Sequence, residues 1–169
     1  MIVCFCAKAI LKADKWVKVT ALFSAAFFCF TLPAYSSYNA KVIKEKVNIR
    51  VDSTAMAPSI GYLYQGEVSN VIEEYYDWCK VILPKRMYCY VAAEFLRRIS
   101  DNKAEVIVDE LNLRSSPSKE SYIIGKVSKG TVLFIKEQKG GWFKVRGHPY
   151  AYGWVNKSFL QRIQKPNQK

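Results

Sequence analysis

The chain has 169 residues, with 26 lysines and arginines against 14 aspartates and glutamates, and its formal net charge is +12. Such a basic protein favours anionic partners: acidic wall polymers, lipid headgroups or nucleic acid. The basic residues are dispersed rather than clustered, so a solvated surface explains them equally well. His148 is the only histidine, which disfavours a metal site, and no cofactor is expected.

The first 36 residues predict a secretory signal peptide. Residues 1–18 contain four lysines and one aspartate, residues 19–34 carry no charge, and small residues follow at Ala34 and Ser36. The alternative is an uncleaved membrane anchor, but the uncharged run is shorter than the roughly 20 residues that a spanning helix needs. We therefore expect cleavage near Ala34–Ser36 and a periplasmic or secreted protein.

The remainder of the chain contains an internal duplication. Residues 40–99 align with residues 104–163 without a gap, and 19 of the 60 positions are identical, where chance would give roughly four or five. Both copies open with an apolar-Asn-apolar-Arg sequence, VNIR and LNLR, and both place an Ile-Gly pair ten residues after the arginine. Each copy is near the lower size limit for independent folding.

Short strands and tight turns alternate through both copies. In the second copy, EVIVDELNLR alternates apolar and polar residues as a strand does. The turn formers SSPS and the sequences KG and QKGG then separate further short apolar runs. Five or six strands at this spacing, with no long helical period, predict a small antiparallel barrel for each copy.

The order NLRSSPS, IIG, KG, GGWFKV and YGWV in the second copy resembles the bacterial SH3-like domain family. The resemblance implies an all-β fold of two small SH3-like antiparallel barrels in tandem, preceded by an N-terminal signal helix. The first copy departs from the pattern, because its proline comes later and Cys-Tyr-Val replaces Gly-Trp-Val. The predicted organisation is a signal peptide (1–36), a first domain (40–99), a linker (100–103), a second domain (104–163) and a basic tail (164–169).

The two cysteines in the first copy suggest a disulfide. Strands 78–83 and 87–92 are predicted to form a hairpin about Pro84, which would place Cys79 directly opposite Cys89. Cross-strand partners lie within disulfide range, and exported proteins meet oxidising conditions. Two buried free thiols are the alternative. No metal site is expected, because zinc would need two further ligands.

The resemblance also implies where a ligand would lie, in a groove between the loop after the first strand and the hairpin that carries the tryptophan. Candidate ligand-binding residues in the second copy are Asn112, Arg114, Tyr122, Trp142 and Tyr152. Candidates in the first copy are Asn48, Arg50, Tyr62, Trp78 and Tyr88. The alternative for each Asn and Arg is a structural role, in which the Asn bonds its own turn and the Arg braces the barrel.

No motif in the sequence frames a nucleophile, and no acidic partner stands near the histidine, so we do not expect an enzyme. The leading hypothesis is an exported, non-catalytic and monomeric protein that binds peptidoglycan through glycan or stem peptide. The second hypothesis is an adaptor that docks an envelope or host protein, and the third is a membrane-tethered sensor. No nucleic-acid partner is expected, and contact with a membrane is expected only through an uncleaved signal segment.

Overall fold

A computed structural model describes residues 37–147 and 149–164. The predicted signal peptide, His148 and residues 165–169 of the predicted tail lie outside the described residues. The first copy contains seven strands: β1 Tyr38–Val42, β2 Lys46–Arg50, β3 Ser59–Tyr64, β4 Val68–Tyr75, β5 Trp78–Ile82, β6 Tyr88–Ala92 and β7 Leu96–Ser100. The second copy repeats them: β8 Lys103–Val106, β9 Glu110–Arg114, β10 Ile123–Ser128, β11 Val132–Lys139, β12 Trp142–Arg146, β13 Tyr152–Asn156 and β14 Leu160–Arg162.

A short 3-10 helix precedes the last strand of each copy, at Ala93–Phe95 and Lys157–Phe159. The predicted all-β class is therefore confirmed for the described residues. The strands form two antiparallel sheets: the first has the order β14-β1-β4-β5-β13-β2-β3, and the second has the order β10-β9-β6-β12-β11-β8-β7. Closure of these sheets into barrels stays a prediction.

The two copies exchange strands. In the first sheet, β13 from the second copy lies between β5 and β2 from the first copy. In the second sheet, β6 from the first copy lies between β12 and β9 from the second. The following strands accompany them, because β14 pairs with β1 and β7 pairs with β8. Each sheet is thus completed by the last two strands of the other copy.

This exchange overturns the predicted hairpin about Pro84. Cys79 lies opposite Val155, and Cys89 lies opposite Val145, so the two cysteines belong to different sheets. Both are free, buried thiols, and the predicted bridge between them is not formed. The duplication is the physical reason. Strands β6 and β13 have the same pattern of buried residues, so either strand fits the same position in a sheet.

In the part of the chain that the structure describes, most buried hydrophobic side chains form one cluster that draws on both copies. Val91 and Val155 are equivalent in the repeat, and each is fully buried in the sheet of the other copy. Because side chains alternate along a strand, the residues on either side of Val91 and Val155 lie on the opposite face, where a ligand can reach them. Backbone bonds hold the exchanged ends: the Ala93 N–H donates to the Gly141 carbonyl at 2.8 Å, and the Lys157 N–H donates to the Asp77 carbonyl at 2.7 Å.

Candidate functional site

A groove of about 370 Å³ lies on the solvent-facing side of the second sheet, and we call it the composite groove. It is lined by Ala92, Glu94, Phe95, Val108, Glu110, Leu111, Asn112, Arg114, Lys119 and Trp142. Its size is near the lower end of the range for small-ligand sites. Three of the predicted site residues, Asn112, Arg114 and Trp142, therefore share one concave surface.

The groove depends on the strand exchange. Strand β6 separates β9, which carries Asn112 and Arg114, from β12, which carries Trp142. Ala92 at the end of β6 lies opposite Trp142. The short helix that follows β6 then contributes Glu94 and Phe95 from the first copy. Neither copy alone supplies all the residues of this groove.

Charges of both signs line the groove. Glu94 and Glu110 are acidic, Arg114 and Lys119 are basic, and Trp142 is half-buried among them. The Glu110 carboxylate accepts a hydrogen bond from the Lys126 ammonium at 2.7 Å. The groove can therefore accommodate a ligand that carries both a carboxylate and an amine beside an apolar group.

The two arginines brace equivalent loops. The Arg114 guanidinium donates to the Ser121 carbonyl at 2.7 Å, and the Arg50 guanidinium donates to the Ala57 carbonyl at 2.5 Å. Ser121 and Ala57 are equivalent in the repeat, and each lies in the loop that follows the strand of its arginine, β9 or β2. The structural role predicted as an alternative is present in both copies. One such bond leaves other guanidinium donors for a ligand.

The strand exchange places two of the predicted tyrosines, Tyr88 and Tyr152, in the sheet of the other copy. Tyr152 lies on β13 in the first sheet, between the strands that carry Trp78 and Arg50. Tyr88 lies on β6 in the second sheet, opposite Arg146, with its ring 5.3 Å from the Lys144 ammonium. Each of these tyrosines joins the candidates of the other copy.

The remaining candidates lie at the edge of these surfaces. Asn48 is exposed on β2 opposite Tyr62, whose ring is 4.0 Å from the Lys46 ammonium. Tyr122 is half-exposed, and its carbonyl accepts a hydrogen bond from the Ser115 N–H at 2.9 Å. Tyr122 does not line the composite groove. Sequence reasoning missed Glu94 and Phe95, although Phe95 and Phe159 are matched in the repeat.

A cluster of polar side chains joins the exchanged C-terminal segment to the first copy. The Tyr38 hydroxyl donates to one oxygen of Glu74 at 2.5 Å, and the Lys157 ammonium pairs with the other oxygen. The hydrogen bond from Lys157, followed by the one from Tyr38, lowers the pKa of Glu74. Burial is the main cause that raises the pKa of Tyr38, so its hydroxyl stays protonated and donating at neutral pH. Glu74 is therefore ionised, and its contact with Lys157 links the first copy to the second.

We expect Glu74→Gln to destabilise the protein by about 1 kcal/mol at pH 7, because the bonds involve a charged group but Lys157 is half-exposed. The folded-state pKa of Glu74 is below its unfolded value, so this stabilisation is present above about pH 4.5 and is lost as the pH falls through the folded pKa. Urea unfolding of Glu74→Gln and of the parent at pH 7 and pH 3 measures the stabilisation that Glu74 contributes. Glu110→Gln, which breaks a more exposed pair, is the control and should change little. If the free energies of unfolding of Glu74→Gln and the parent differ as much at pH 3 as at pH 7, ionised Glu74 does not provide the stabilisation.

The two thiols are poorly suited to act as nucleophiles. Burial raises the pKa of Cys89 to about 12, and burial is also the main cause that raises the pKa of Cys79. A thiol rather than a thiolate is therefore present in both places at neutral pH. Within residues 37–147 and 149–164, no three His, Cys, Asp or Glu side chains gather in a way that could hold a metal ion. That same part of the chain has no helix of the length and apolarity that crossing a membrane requires.

Residues 109–161 match the bacterial SH3 domain family. The bacterial SH3 segment contains Asn112, Arg114 and Trp142 of the composite groove, together with strand β13, which completes the first sheet. The match supports the resemblance inferred from the second copy. The tandem interpretation continues to rest on the internal repeat.

One curated relative is the Bacillus subtilis (strain 168) protein named "Putative N-acetylmuramoyl-L-alanine amidase YrvJ", which is 22% identical over 161 residues. The alignment covers 84% of this chain, and the chain spans 29% of that relative's length. Two solved structures are also similar, NlpC1 and NlpC2 from Trichomonas vaginalis, at 14% and 13% identity. They cover 82% and 75% of this chain and 50% and 48% of their own chains, with TM-scores of 0.27 and 0.25.

Proposed function

We propose that this chain is an exported, non-catalytic protein that binds peptidoglycan through the composite groove. The observation that carries the proposal is that Asn112, Arg114 and Trp142, from the segment that matches the bacterial SH3 domain, line one groove with charges of both signs. Peptidoglycan stem peptides carry carboxylates, amines and small apolar side chains. Such a peptide matches the groove's charges and its tryptophan.

Two further observations support the proposal. The similarity to a relative that is named a putative N-acetylmuramoyl-L-alanine amidase favours a location outside the cytoplasm. The two described thiols are buried and protonated, which makes them poor nucleophiles. A signal peptide that is cleaved near Ala34–Ser36 would deliver the protein to the periplasm or beyond, as a monomer.

The test is co-sedimentation with purified sacculi. We expect the parent protein to pellet with sacculi, and Trp142→Ala to lower the apparent affinity roughly tenfold, since buried aromatic anchors dominate binding energies. Lys119→Ala is a second groove variant that removes an exposed side chain, and we expect it to leave the fold unperturbed. Phe134→Ala, which removes a half-exposed aromatic side chain outside the groove, is the matched control and should bind as the parent does.

Three outcomes would count against the proposal. If the parent does not pellet above a non-binding protein, the wall is not its partner, and the adaptor hypothesis takes its place. If Phe134→Ala weakens binding as much as Trp142→Ala does, the groove is not the site. If incubation with sacculi lowers their turbidity or releases new amines, the protein is catalytic. N-terminal sequencing of the exported protein tests cleavage, and an intact Met1 would show a retained anchor.

A further inference from the structure

Tyr76 occupies a strained backbone position. It lies in the turn between β4 and β5 with a φ of 49°, and among the residues that the structure describes it is the only non-glycine with a positive φ. The equivalent residue in the second copy is Gly140, with a φ of 57°. A side chain is disfavoured in this left-handed conformation, whereas glycine adopts it freely. The first copy thus retains a tyrosine where its duplicate has the residue that suits the turn.

Burial does not offset this strain. Tyr76 is 82% exposed, so its ring contributes little to the core. A strained residue at an exposed position is typical of a functional site, where the conformation serves a purpose other than stability. The question is what the ring of Tyr76 is placed to contact.

Tyr76 begins a row of aromatic side chains on the first sheet. Its ring lies edge-on to the Tyr75 ring at a centroid distance of 4.7 Å, and Tyr75 lies edge-on to Trp154 at 6.5 Å. The Lys80 ammonium lies 5.5 Å from the Trp154 ring and 4.3 Å from the Tyr152 ring, and so joins the last two members. We call Tyr76, Tyr75, Trp154 and Tyr152 the aromatic strip.

The aromatic strip belongs to one half of the molecule only. The positions in the second copy that correspond to Tyr75 and Tyr76 hold Lys139 and Gly140. Trp154 and Tyr152 reach the first sheet because β13 is exchanged into it. The strip therefore exists through the combination of the strand exchange with two substitutions that the second copy lacks.

The two lysines near the strip are already paired. Lys80 forms an ion pair with Glu73 at 3.0 Å, and Lys157 pairs with Glu74. The strip therefore presents aromatic rings with hydroxyl and indole groups, and neither lysine adds an unpaired positive charge. Tyrosine and tryptophan in this form suit a ligand with one apolar face and a polar edge. A neutral saccharide ring has that chemistry, whereas a stem peptide carries charges that the composite groove balances better.

We propose that the aromatic strip is a second binding site, which takes the neutral N-acetylated saccharide rings of a glycan strand. This inference deepens the proposed function, since it divides the polymer between two sites, with sugar on the first sheet and peptide on the second. Tyr76 extends the strip by one ring, and its conformational cost is retained because the ring contacts ligand.

The experiment titrates chitohexaose, an uncharged N-acetylglucosamine oligomer, into the full-length protein and follows backbone amide shifts by NMR. We expect shifts centred on the strip and a Tyr76→Gly variant that binds roughly three- to tenfold more weakly, the range that one aromatic contact supplies. The same variant should melt no lower than the parent, because it relieves the backbone strain. Phe134→Ala removes a half-exposed aromatic side chain outside the strip and is the matched control, with unchanged affinity expected.

The two proposals fail in different ways. No binding of chitohexaose by the parent would overturn the saccharide site while leaving sacculi binding through the groove intact. A Tyr76→Gly variant that melts lower and binds chitohexaose as the parent does would show that Tyr76 is structural. Shifts on the strip from a charged stem peptide but not from chitohexaose would make it a peptide site. Chitohexaose binding that depends on Tyr76 in a protein that does not pellet with sacculi would support this site and overturn the wall-binding proposal.

Discussion

Cleavage of the backbone between Asp101 and Asn102 is expected to leave the two halves of the protein bound to each other. This exposed turn joins β7 to β8, and it separates the first copy from the second. Tandem domains that fold separately would part once the linker is cut. Here β6 contributes five paired positions to β12, and β13 contributes five to β5, so each half completes the sheet of the other.

The association after cleavage should be strong. Separation of the halves would uncover the buried Val91 and Val155 and break both sheets, so its cost approaches the free energy of unfolding. For an ordinary domain, a free energy of unfolding of about 10 kcal/mol corresponds to a dissociation constant of about 50 nM.

A protease site inserted in this turn, followed by cleavage and size-exclusion chromatography, measures the association. Denaturing electrophoresis first shows that the chain is fully cut. We expect one native peak that contains both fragments, and two separate fragments after elution in denaturant. Two native peaks, each with the melting behaviour of a folded domain, would show that the copies do not exchange strands in solution.

Local signals in the sequence were sufficient for the strands and turns. The alternation in VNIR and LNLR predicts β2 and β9, and the glycines in both KG-type turns, Gly66 and Gly130, have the positive φ that such turns require. These strands and turns depend on a few neighbouring residues, and so they can be predicted from a single sequence. The interpretation of the first copy as a series of hairpins followed the same local logic and failed at β5 and β6.

Strand exchange could not be inferred from the sequence because the duplication makes the two alternatives nearly equivalent. Val91 and Val155 carry the same side chain, and either fits between the same neighbouring strands. The choice depends on how the loops after Leu83 and Gly147 are directed, where the Leu83 N–H donates to the Ala151 carbonyl at 2.8 Å. A covalent pairing of Cys79 with Cys89 would have required the other arrangement.

The residues of the candidate site also fall into two groups: those that the pattern of one copy indicates, and those that depend on the strand exchange. Asn112, Arg114 and Trp142 belong to one repeat unit, where alternation along β9 and β12 indicates which residues share a face, although β6 lies between the two strands. Glu94 and Phe95 enter the groove only through the exchange, so no pattern within one copy indicated them. The alignment of Tyr76 with Gly140 was visible in the sequence, but its meaning depends on the positive φ of the turn.

Gly125→Ala is expected to destabilise the protein by roughly 2–4 kcal/mol, as is typical when a new group meets backbone that must move. A Cβ at Gly125 would lie 2.2 Å from the Tyr150 carbonyl oxygen and 3.0 Å from the Ala151 Cα. Both contacts are with the backbone of the loop that carries the chain from the second sheet to β13 in the first. The Ile-Gly pair that the repeat conserves in both copies is thus the place over which a crossing loop passes.

Two other glycines calibrate the effect. Gly141→Ala places its Cβ in open space, with no atom within 4 Å, and should change stability by less than about 0.5 kcal/mol. At Gly61, the equivalent of Gly125, the Cβ would meet the end of the Met87 side chain at 2.2 Å, and a flexible side chain can move aside. We therefore expect thermal unfolding to rank the losses as Gly125→Ala, then Gly61→Ala, then Gly141→Ala. Equal melting temperatures for Gly125→Ala and Gly141→Ala would mean that the loop at Tyr150 does not pass over β10, and the path that carries β13 into the first sheet would then be wrong.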